Sequence, residues 1–179
     1  MIPKILGFLT CNRDMQNTQK EWDLYFLKMA GLVASKSKDP SLKVGCVIIG
    51  PDHEVRSTGY NGFPRGVHYT DGRLERPRKY ARIEHAERNA VYNAARVGIP
   101  LEGCVAYVVC DPIDRGGNAP CAECTRALIQ AGISEIVEWK TPSIADDNAN
   151  DWRAQLKYSI SMLKEAGVTL REVDDIDER

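Results

Sequence analysis

Two stretches of sequence decide the fold: EHAERNA at residues 84–90 and PCAEC at residues 120–124. Together they supply one imidazole, on His85, and the two thiols of Cys121 and Cys124. These are ligands that Zn²⁺ prefers, and three protein ligands leave the fourth tetrahedral position open for water, as in catalytic zinc sites. A structural zinc site normally has four protein ligands. The two stretches therefore predict a catalytic zinc site formed by His85, Cys121 and Cys124.

The spacing of these residues predicts two helix starts. Cys121 and Cys124 are three positions apart and face the same way in the first turn of a helix that Pro120 favours. The free N–H groups of that turn favour negative charge and lower the pKa of both thiols. His85 and Glu87 are only two positions apart, which separates them by about 200° on a regular helix. We therefore expect an irregular helix start near His85.

Glu87 is the predicted catalytic residue. Zinc lowers the pKa of a bound water to near neutrality. A carboxylate beside that water can take its proton, deliver it to a ring nitrogen and later protonate departing ammonia. Cys-x-x-Cys or His-x-Glu alone is a weak signal, but His-x-Glu followed by Pro-Cys-x-x-Cys is the signature of the zinc nucleobase deaminases.

Composition limits the partners. The 179 residues are enough for one domain with a substantial core, and the net charge of −1 gives no basic field to recruit nucleic acid, so we expect a small-molecule substrate. No apolar run reaches the roughly 20 residues that cross a bilayer, and no secretory pattern is visible. We therefore predict no membrane partner and a cytoplasmic protein whose six cysteines stay reduced.

Hydrophobic periodicity predicts a hairpin followed by alternating helices and strands. A helix at about 20–35 precedes the hairpin strands 44–49 and 54–59. Then come a helix at 85–97, a strand at 104–110, a helix at 121–131, a strand at 133–139, a last helix ending at Gly167 and a strand at 168–173. This order predicts an α/β domain with three layers, α/β/α, around a mixed five-stranded sheet. We expect residues 20–179 to form this domain and residues 1–19 an N-terminal extension.

Three polar segments and two apolar helical stripes complete these structural predictions. The turn at residues 35–41 is expected to be a solvated loop, as is the polar segment at 141–150, and the tail at 174–179 is expected to fray. The helical stripes, which we expect to pack in the core, are Trp22, Tyr25, Phe26, Met29, Leu32 and Val33 in the first helix, and Trp152, Leu156, Ile160 and Leu163 in the last.

Two segments between these elements are candidates for substrate binding. The stretch GYNGFPRG at residues 59–66 imposes a specific backbone path, and Asn61 within it suits a sugar hydroxyl. The alternative is a structural turn with Asn61 in a left-handed conformation. Residues 68–82 carry four arginines and a lysine, and arginine matches phosphate geometry. The alternative for this basic insertion is solvated surface or a subunit contact.

These motifs resemble those of the cytidine/deoxycytidylate deaminase superfamily, and GYNGFPRG resembles its deoxycytidylate branch. Further matching segments are SKDP at 37–40, Lys79-Tyr80 and QAGI at 130–133. The resemblance implies a cytidine-deaminase-like fold and zinc-dependent hydrolysis of dCMP to dUMP and ammonia, which supplies thymidylate synthesis. It assigns zinc to His85, Cys121 and Cys124, and the proton shuttle to Glu87. It also implies that Asn61, Arg65 and Tyr80 bind the substrate.

The same resemblance implies a homo-oligomer, often a hexamer, and regulation by dCTP and dTTP. Alternatives remain open because residues 111–119 lengthen the passage to the two cysteines, where they border the expected base pocket and would cover it. Another zinc deaminase, acting on cytidine, dCTP, guanine, a pterin or pyrimidine intermediate or tRNA adenosine, is one alternative. A structural zinc module is the other, although such a module gains nothing from Glu87.

Overall fold

The computed structural model describes residues 18–70, 72–111, 119–140 and 150–174, with side chains of the last segment described from Leu156 onward. The elements are α1 (Gln19–Ala34), β1 (Lys43–Ile49), β2 (Val55–Tyr60), α2 (Ala86–Val97), β3 (Val105–Asp111), α3 (Ala122–Gln130), β4 (Glu135–Trp139), α4 (Asn150–Ala166) and β5 (Thr169–Val173). The predictions for residues 1–17, 112–118, 141–149 and 175–179, and for the Trp152 side chain, lie outside the described residues.

The five strands form one mixed sheet in the order β2-β1-β3-β4-β5. Strand β1 pairs antiparallel with β2 and with β3, whereas β3, β4 and β5 run parallel. The predicted hairpin and the mixed five-stranded sheet are therefore confirmed. Because β3 and β4 are each followed by a crossover, the helices between parallel strands must lie on a face of the sheet.

Successive strand residues point to opposite faces of the sheet. Val47 and Ile49 of β1 pack on one face in the cluster that includes α1. Cys46 and Ile48 pack on the other face, in the cluster formed with α2, α3 and α4. The sheet therefore lies between α1 on one side and three helices on the other, which confirms the three-layer prediction.

Local sequence explains where α1 and α2 begin and end. Thr18 and Glu21 form a capping box at the start of α1. Gly98, in the left-handed conformation with φ 72°, ends α2. Both signals are local, because a polar capping residue and a glycine mark these helix ends whatever the packing of the core.

The prediction that the whole stripe of α1 packs in the core is wrong. Phe26 is buried, but Tyr25 is 53% exposed and Leu32 is 70% exposed. The buried face instead includes Asp23, which accepts hydrogen bonds from the Tyr107 hydroxyl (2.9 Å) and Arg171 Nη2 (3.0 Å). Trp22, Met29 and Val33 of the stripe still pack against the core, so the core-facing side keeps most of the stripe and also includes a paired carboxylate.

The last helix departs from its predicted stripe in the same way. Leu163 is buried and Leu156 is partly buried, but Ile160 is 50% exposed and Ser159 is buried in its place. The hydrophobic pattern therefore predicts burial at Ile160, whereas the preceding residue, Ser159, is the buried one.

Helix α2 approaches the sheet closely because both surfaces are small. Ala86, Ala90 and Ala94 are buried against the sheet. Gly59 of β2 lies so close that a Cβ there would overlap the Ala86 carbonyl and the Ala90 amide of α2. The absence of a side chain at Gly59 thus sets the height of α2 above the sheet.

We predict that Gly59→Ala lowers the free energy of unfolding by about 1–3 kcal/mol, because the new methyl group overpacks against backbone atoms that cannot move independently. Urea denaturation would measure the change. Gly31→Ala in α1 is the matched control, since its nearest neighbouring atom lies 4.0 Å from the added Cβ. An equal effect of the two substitutions would contradict the close-approach explanation.

Candidate zinc site and active site

The three predicted ligands lie at the N-termini of α2 and α3. His85 is the N-cap residue of α2, with extended φ and ψ of −77° and 155°. Cys121 is the N-cap residue of α3, with φ and ψ of −61° and 163°. Cys124 lies in the first turn of α3, and its backbone N–H donates to Cys121 Sγ at 3.5 Å. Both helices lie on the same face of the sheet, so their N-termini converge.

The distances between the ligand atoms fit a tetrahedral zinc site. His85 Nδ1 lies 3.5 Å from Cys121 Sγ and 3.4 Å from Cys124 Sγ. All three ligand atoms lie within 4.8 Å of one another. Zinc bonds of about 2.0 Å to nitrogen and about 2.3 Å to sulfur, at tetrahedral angles, place those two atoms roughly 3.5 Å apart. The donor set could therefore hold zinc without rearrangement.

The two thiols share one proton in a way that favours a bound cation. Hydrogen bonds with the Cys124 side chain and with the His85 ring lower the pKa of Cys121 to about 4. The same hydrogen bond to Cys121, together with burial, raises the pKa of Cys124. The hydrogen bond to Cys121 also raises the pKa of His85. A metal cation replaces that shared proton, since thiolates and neutral imidazole are the binding forms.

Glu87 lies in the first turn of α2 and is buried. Because His85 is extended and precedes the helix, the 200° separation of a regular helix does not apply to this pair. Glu87 Oε2 has no hydrogen-bond partner among the described residues. A buried oxygen left unpaired in this way is unfavourable by about 1–3 kcal/mol, and a functional role is one explanation for its presence.

Burial also changes the acidity of Glu87. Desolvation raises its pKa, and the neighbouring His85 ring and Cys124 side chain only partly oppose that rise. A carboxyl group whose pKa moves upward from its usual range is better matched to proton transfer near neutral pH.

Asn61 has a structural position that its sequence context did not reveal. It is buried at the end of β2, where its Nδ2 donates to the Leu42 carbonyl (2.9 Å) and its Oδ1 accepts from the Val44 amide (2.7 Å). Asn61 does not adopt the left-handed conformation of the alternative prediction, because among the described residues only His53 is a non-glycine residue with positive φ. The amide of Asn61 keeps one N–H and one lone pair, so its contact with a sugar stays a prediction.

The prediction that the turn at residues 35–41 is a solvated loop holds for the exposed Ser35, Lys36 and Lys38 but is wrong for two other polar residues. Ser37 and Asp39 are buried. Lys79, itself buried, donates to both Asp39 oxygens (2.9 and 3.1 Å) and to Ser41 Oγ (2.6 Å). Complete charge pairing makes this burial tolerable. Lys79 therefore fastens the basic insertion to the turn before β1.

Arg65 and Tyr80 lie in different surroundings. Arg65 lines a cavity of about 240 Å³ at the exposed side of α2, and its guanidinium bonds Asn93 Oδ1. Glu84 and Asn89 also line this cavity. Tyr80 is exposed and does not line it; the Arg76 guanidinium lies 5.8 Å from the centre of its ring. The structure thus brings Arg65, but not Tyr80, to this cavity.

Two charged residues near the site were missed from the sequence. Glu138 is buried in β4, and burial, with repulsion from Glu87, raises its pKa. Its signal was an acidic residue between the apolar residues Val137 and Trp139. Arg88 forms ion pairs with Glu84 and Glu123, and its signal was the four-residue spacing from Glu84. Cys110, considered as an extra ligand, is not part of the metal-competent group found among the described residues.

Comparison with known proteins identifies the family. The model of the cytidine and deoxycytidylate deaminase zinc-binding region matches residues 20–139. The chain belongs to the cytidine and deoxycytidylate deaminase family. It is therefore a zinc-dependent hydrolase that acts on C–N bonds, with a cytidine-deaminase-like fold.

Individual deaminases are similar over most of the chain. Human deoxycytidylate deaminase is 32% identical over 160 residues, covering 85% of this chain and 79% of the human protein. A deaminase of Aliivibrio fischeri is 37% identical over 148 residues, covering 83% of this chain and 90% of its own. These similarities support deamination of dCMP or a related nucleotide or nucleoside.

The fold of this deaminase also matches a solved structure. The dCMP deaminase of cyanophage S-TIM5, solved in complex with dCMP and dUMP, superimposes with a TM-score of 0.64 at 21% identity, covering 88% of this chain and all of the phage protein. Among the described helices, none has the length and apolarity to cross a membrane.

We predict that replacing any ligand, as in His85→Ala, Cys121→Ser or Cys124→Ser, reduces bound zinc from about one equivalent to well below it, because three protein ligands leave no redundancy. Elemental analysis of the purified proteins would measure this. Cys110→Ser is the matched control and should retain zinc. Full zinc occupancy in a ligand variant would contradict the assignment.

We also predict that Asp39→Asn lowers stability by about 3 kcal/mol at pH 7, because it leaves Lys79 buried without a charge partner. Although burial alone would raise it, hydrogen bonds from Ser41 and Lys79 hold the pKa of Asp39 below its usual value. A depressed folded pKa gives stability that is present above the unfolded pKa, about 3.9, and lost as the pH falls below it. The stability difference between variant and wild type should therefore shrink below about pH 4. Urea denaturation between pH 7 and pH 3 tests this, and a difference independent of pH would contradict it.

Proposed function

We propose that the protein hydrolyses deoxycytidylate, dCMP, to dUMP and ammonia, and so supplies thymidylate synthesis. The observation that carries the mechanism is the buried, unpaired Oε2 of Glu87 beside three converging zinc ligands. The identity to deoxycytidylate deaminases supports the substrate.

Glu87 performs the proton transfers in this proposal, and His85, Cys121 and Cys124 hold the zinc. When bound, zinc supplies a Lewis acid that makes water acidic near neutral pH. Glu87 accepts one proton from water and delivers it to the ring nitrogen of cytosine; it then takes the second water proton from the hydroxyl group now on the ring carbon and transfers it to the departing amine. Its elevated pKa suits both directions of transfer. Overall, one water is consumed, and the amino group leaves as ammonia while a carbonyl forms.

Recognition of the nucleotide is assigned to the segments after β2. Arg65 is an exposed guanidinium at a cavity, which suits the phosphate of a nucleotide. The remaining N–H and lone pair of Asn61 are proposed to meet the sugar, and the exposed ring of Tyr80 to contact the substrate. The basic insertion, fastened by Lys79, also carries Arg76 and Arg78, which are exposed on the surface.

In the remaining parts of the proposal, the domain bounds and the location come from the sequence pattern, and the oligomer and effectors come from family resemblance. The deaminase domain covers residues 20–179 and residues 1–19 form an extension. The protein acts in the cytoplasm as a homo-oligomer, hexameric as in many members, and responds to dCTP and dTTP.

We predict that Glu87→Gln keeps zinc but lowers turnover by about 10²–10⁴-fold or more, because the variant cannot accept a proton. Zinc content and steady-state ammonia release would be measured together. Glu165→Gln, on the exposed side of α4, is the control. Activity retained in the Glu87 variant would reject the assignment of Glu87 as the proton shuttle. Loss of zinc from that variant would reject the prediction that Glu87 is not a zinc ligand.

The substrate is tested by ammonia release and product identification with dCMP, CMP, deoxycytidine, dCTP and dGMP, each with and without added dCTP or dTTP. Turnover of dCMP above the others, increased by dCTP and reduced by dTTP, is the expected result. Preference for another member of the panel would replace dCMP as the substrate. No turnover of any of them by zinc-loaded protein would overturn the proposed reaction.

A further inference from the structure

Arg88 connects the two segments that carry the zinc ligands. Its Nη2 lies 2.6 Å from Glu84 Oε1, and its Nη1 lies 2.8 Å from Glu123 Oε2. Glu84 immediately precedes His85 in the chain, and the same Oε1 accepts a hydrogen bond from the His85 amide at 3.0 Å. One guanidinium therefore joins the start of α2 to the start of α3.

The partner on α3 has a specific place between the thiols. Glu123 stands between Cys121 and Cys124 in the first turn of α3. Its backbone is continuous with both cysteines, as that of Glu84 is continuous with His85. A bridge between these two carboxylates therefore restrains the segments that carry the ligands.

The exposure of the bridging side chains indicates that the bridge orients the ligand-bearing segments and adds little to the free energy of unfolding. The Arg88 side chain is 21% exposed, and that of Glu123 is 55% exposed. An ion pair with a partner this exposed is typically worth about 0–1 kcal/mol because solvent screens it. A planar guanidinium, however, fixes the direction of two carboxylates at once, which a stability value does not report.

One further observation agrees with this role. Arg88 Nε is buried and has no hydrogen-bond partner among the described residues, so the two carboxylates are the groups seen to orient the guanidinium.

We propose that Arg88 is a positioning residue for the zinc ligands, which ties Glu84 to Glu123 and so fixes the distance between His85 and the two cysteines. This inference rests on the proposed ligand set. Residues that orient metal ligands through such contacts typically change metal affinity by about 10–100-fold when they are replaced.

The experiment compares wild type with Arg88→Gln, Arg88→Lys, Glu123→Gln and the double variant Arg88→Gln/Glu123→Gln. Arg126→Gln, an exposed arginine on α3, is the matched control. Zinc affinity is measured by competition with a chromophoric chelator, and ligand geometry by the visible spectrum of the Co²⁺-substituted proteins. Thermal melting of each metal-free protein checks that it is folded, and Glu123→Gln changes only an exposed side chain.

We expect Arg88→Gln and Glu123→Gln each to weaken zinc binding by about 10-fold or more and to shift the Co²⁺ spectrum. The double variant should bind zinc no more weakly than Arg88→Gln, because both substitutions break the same bridge. Arg88→Lys should remain weakened, since one ammonium cannot hold both carboxylates in the same geometry. Arg126→Gln should match wild type.

Wild-type affinity and spectrum in Glu123→Gln, additive losses in the double variant, or full rescue by Arg88→Lys would each overturn the bridging role. Failure of the ligand assignment would look different. In that case the wild-type protein itself would bind no stoichiometric zinc, whereas failure of the Arg88 proposal leaves wild-type zinc binding intact.

Discussion

The convergence of two helix N-termini at one place on the sheet is the constraint on which the site depends. His85 and Cys121 are both N-cap residues, so each extends away from its helix before the regular turns begin. The N-terminal partial charges of α2 and α3 then favour anionic sulfur at the same point. A donor set of one imidazole and two thiols is thus built from local helix chemistry, provided that the sheet holds the two helices at the right separation.

Backbone contacts set the position of α2 on the sheet, and the proposed Arg88 bridge adds a restraint between the two helix starts. Gly59 and the alanines Ala86 and Ala90 let α2 rest directly on β2, while α3 follows β3 on the same face. Asn61 joins the end of β2 to the start of β1, and the buried pair of Lys79 and Asp39 fastens the long connection that leads into α2. Polar contacts at the sheet edge therefore determine where the chain enters the site.

Sequence alone could predict what depends on local spacing. The helix starts at His85 and Cys121, the hairpin and the order of elements follow from periodicity and caps, and they match the structure. The buried face of α1 could not be predicted, because Asp23 is buried through Arg171, which is distant in sequence. Lys79 was missed as a buried residue for the same reason, since Asp39 is its partner. Long-range charge pairing reverses the burial that hydrophobicity predicts.

Burial has opposite consequences for the charged groups around the site. Asp39 is buried with every charge compensated, so its pKa falls and it stabilises the fold. Glu87 and Glu138 are buried without an ion pair among the described residues, and the pKa of each rises. A fold selected for stability alone would pair or remove such groups, because unpaired buried acids are unfavourable. The retention of Glu87 near the three ligand side chains follows if the pocket must keep one carboxyl group able to gain and lose a proton, as the proposed deamination requires.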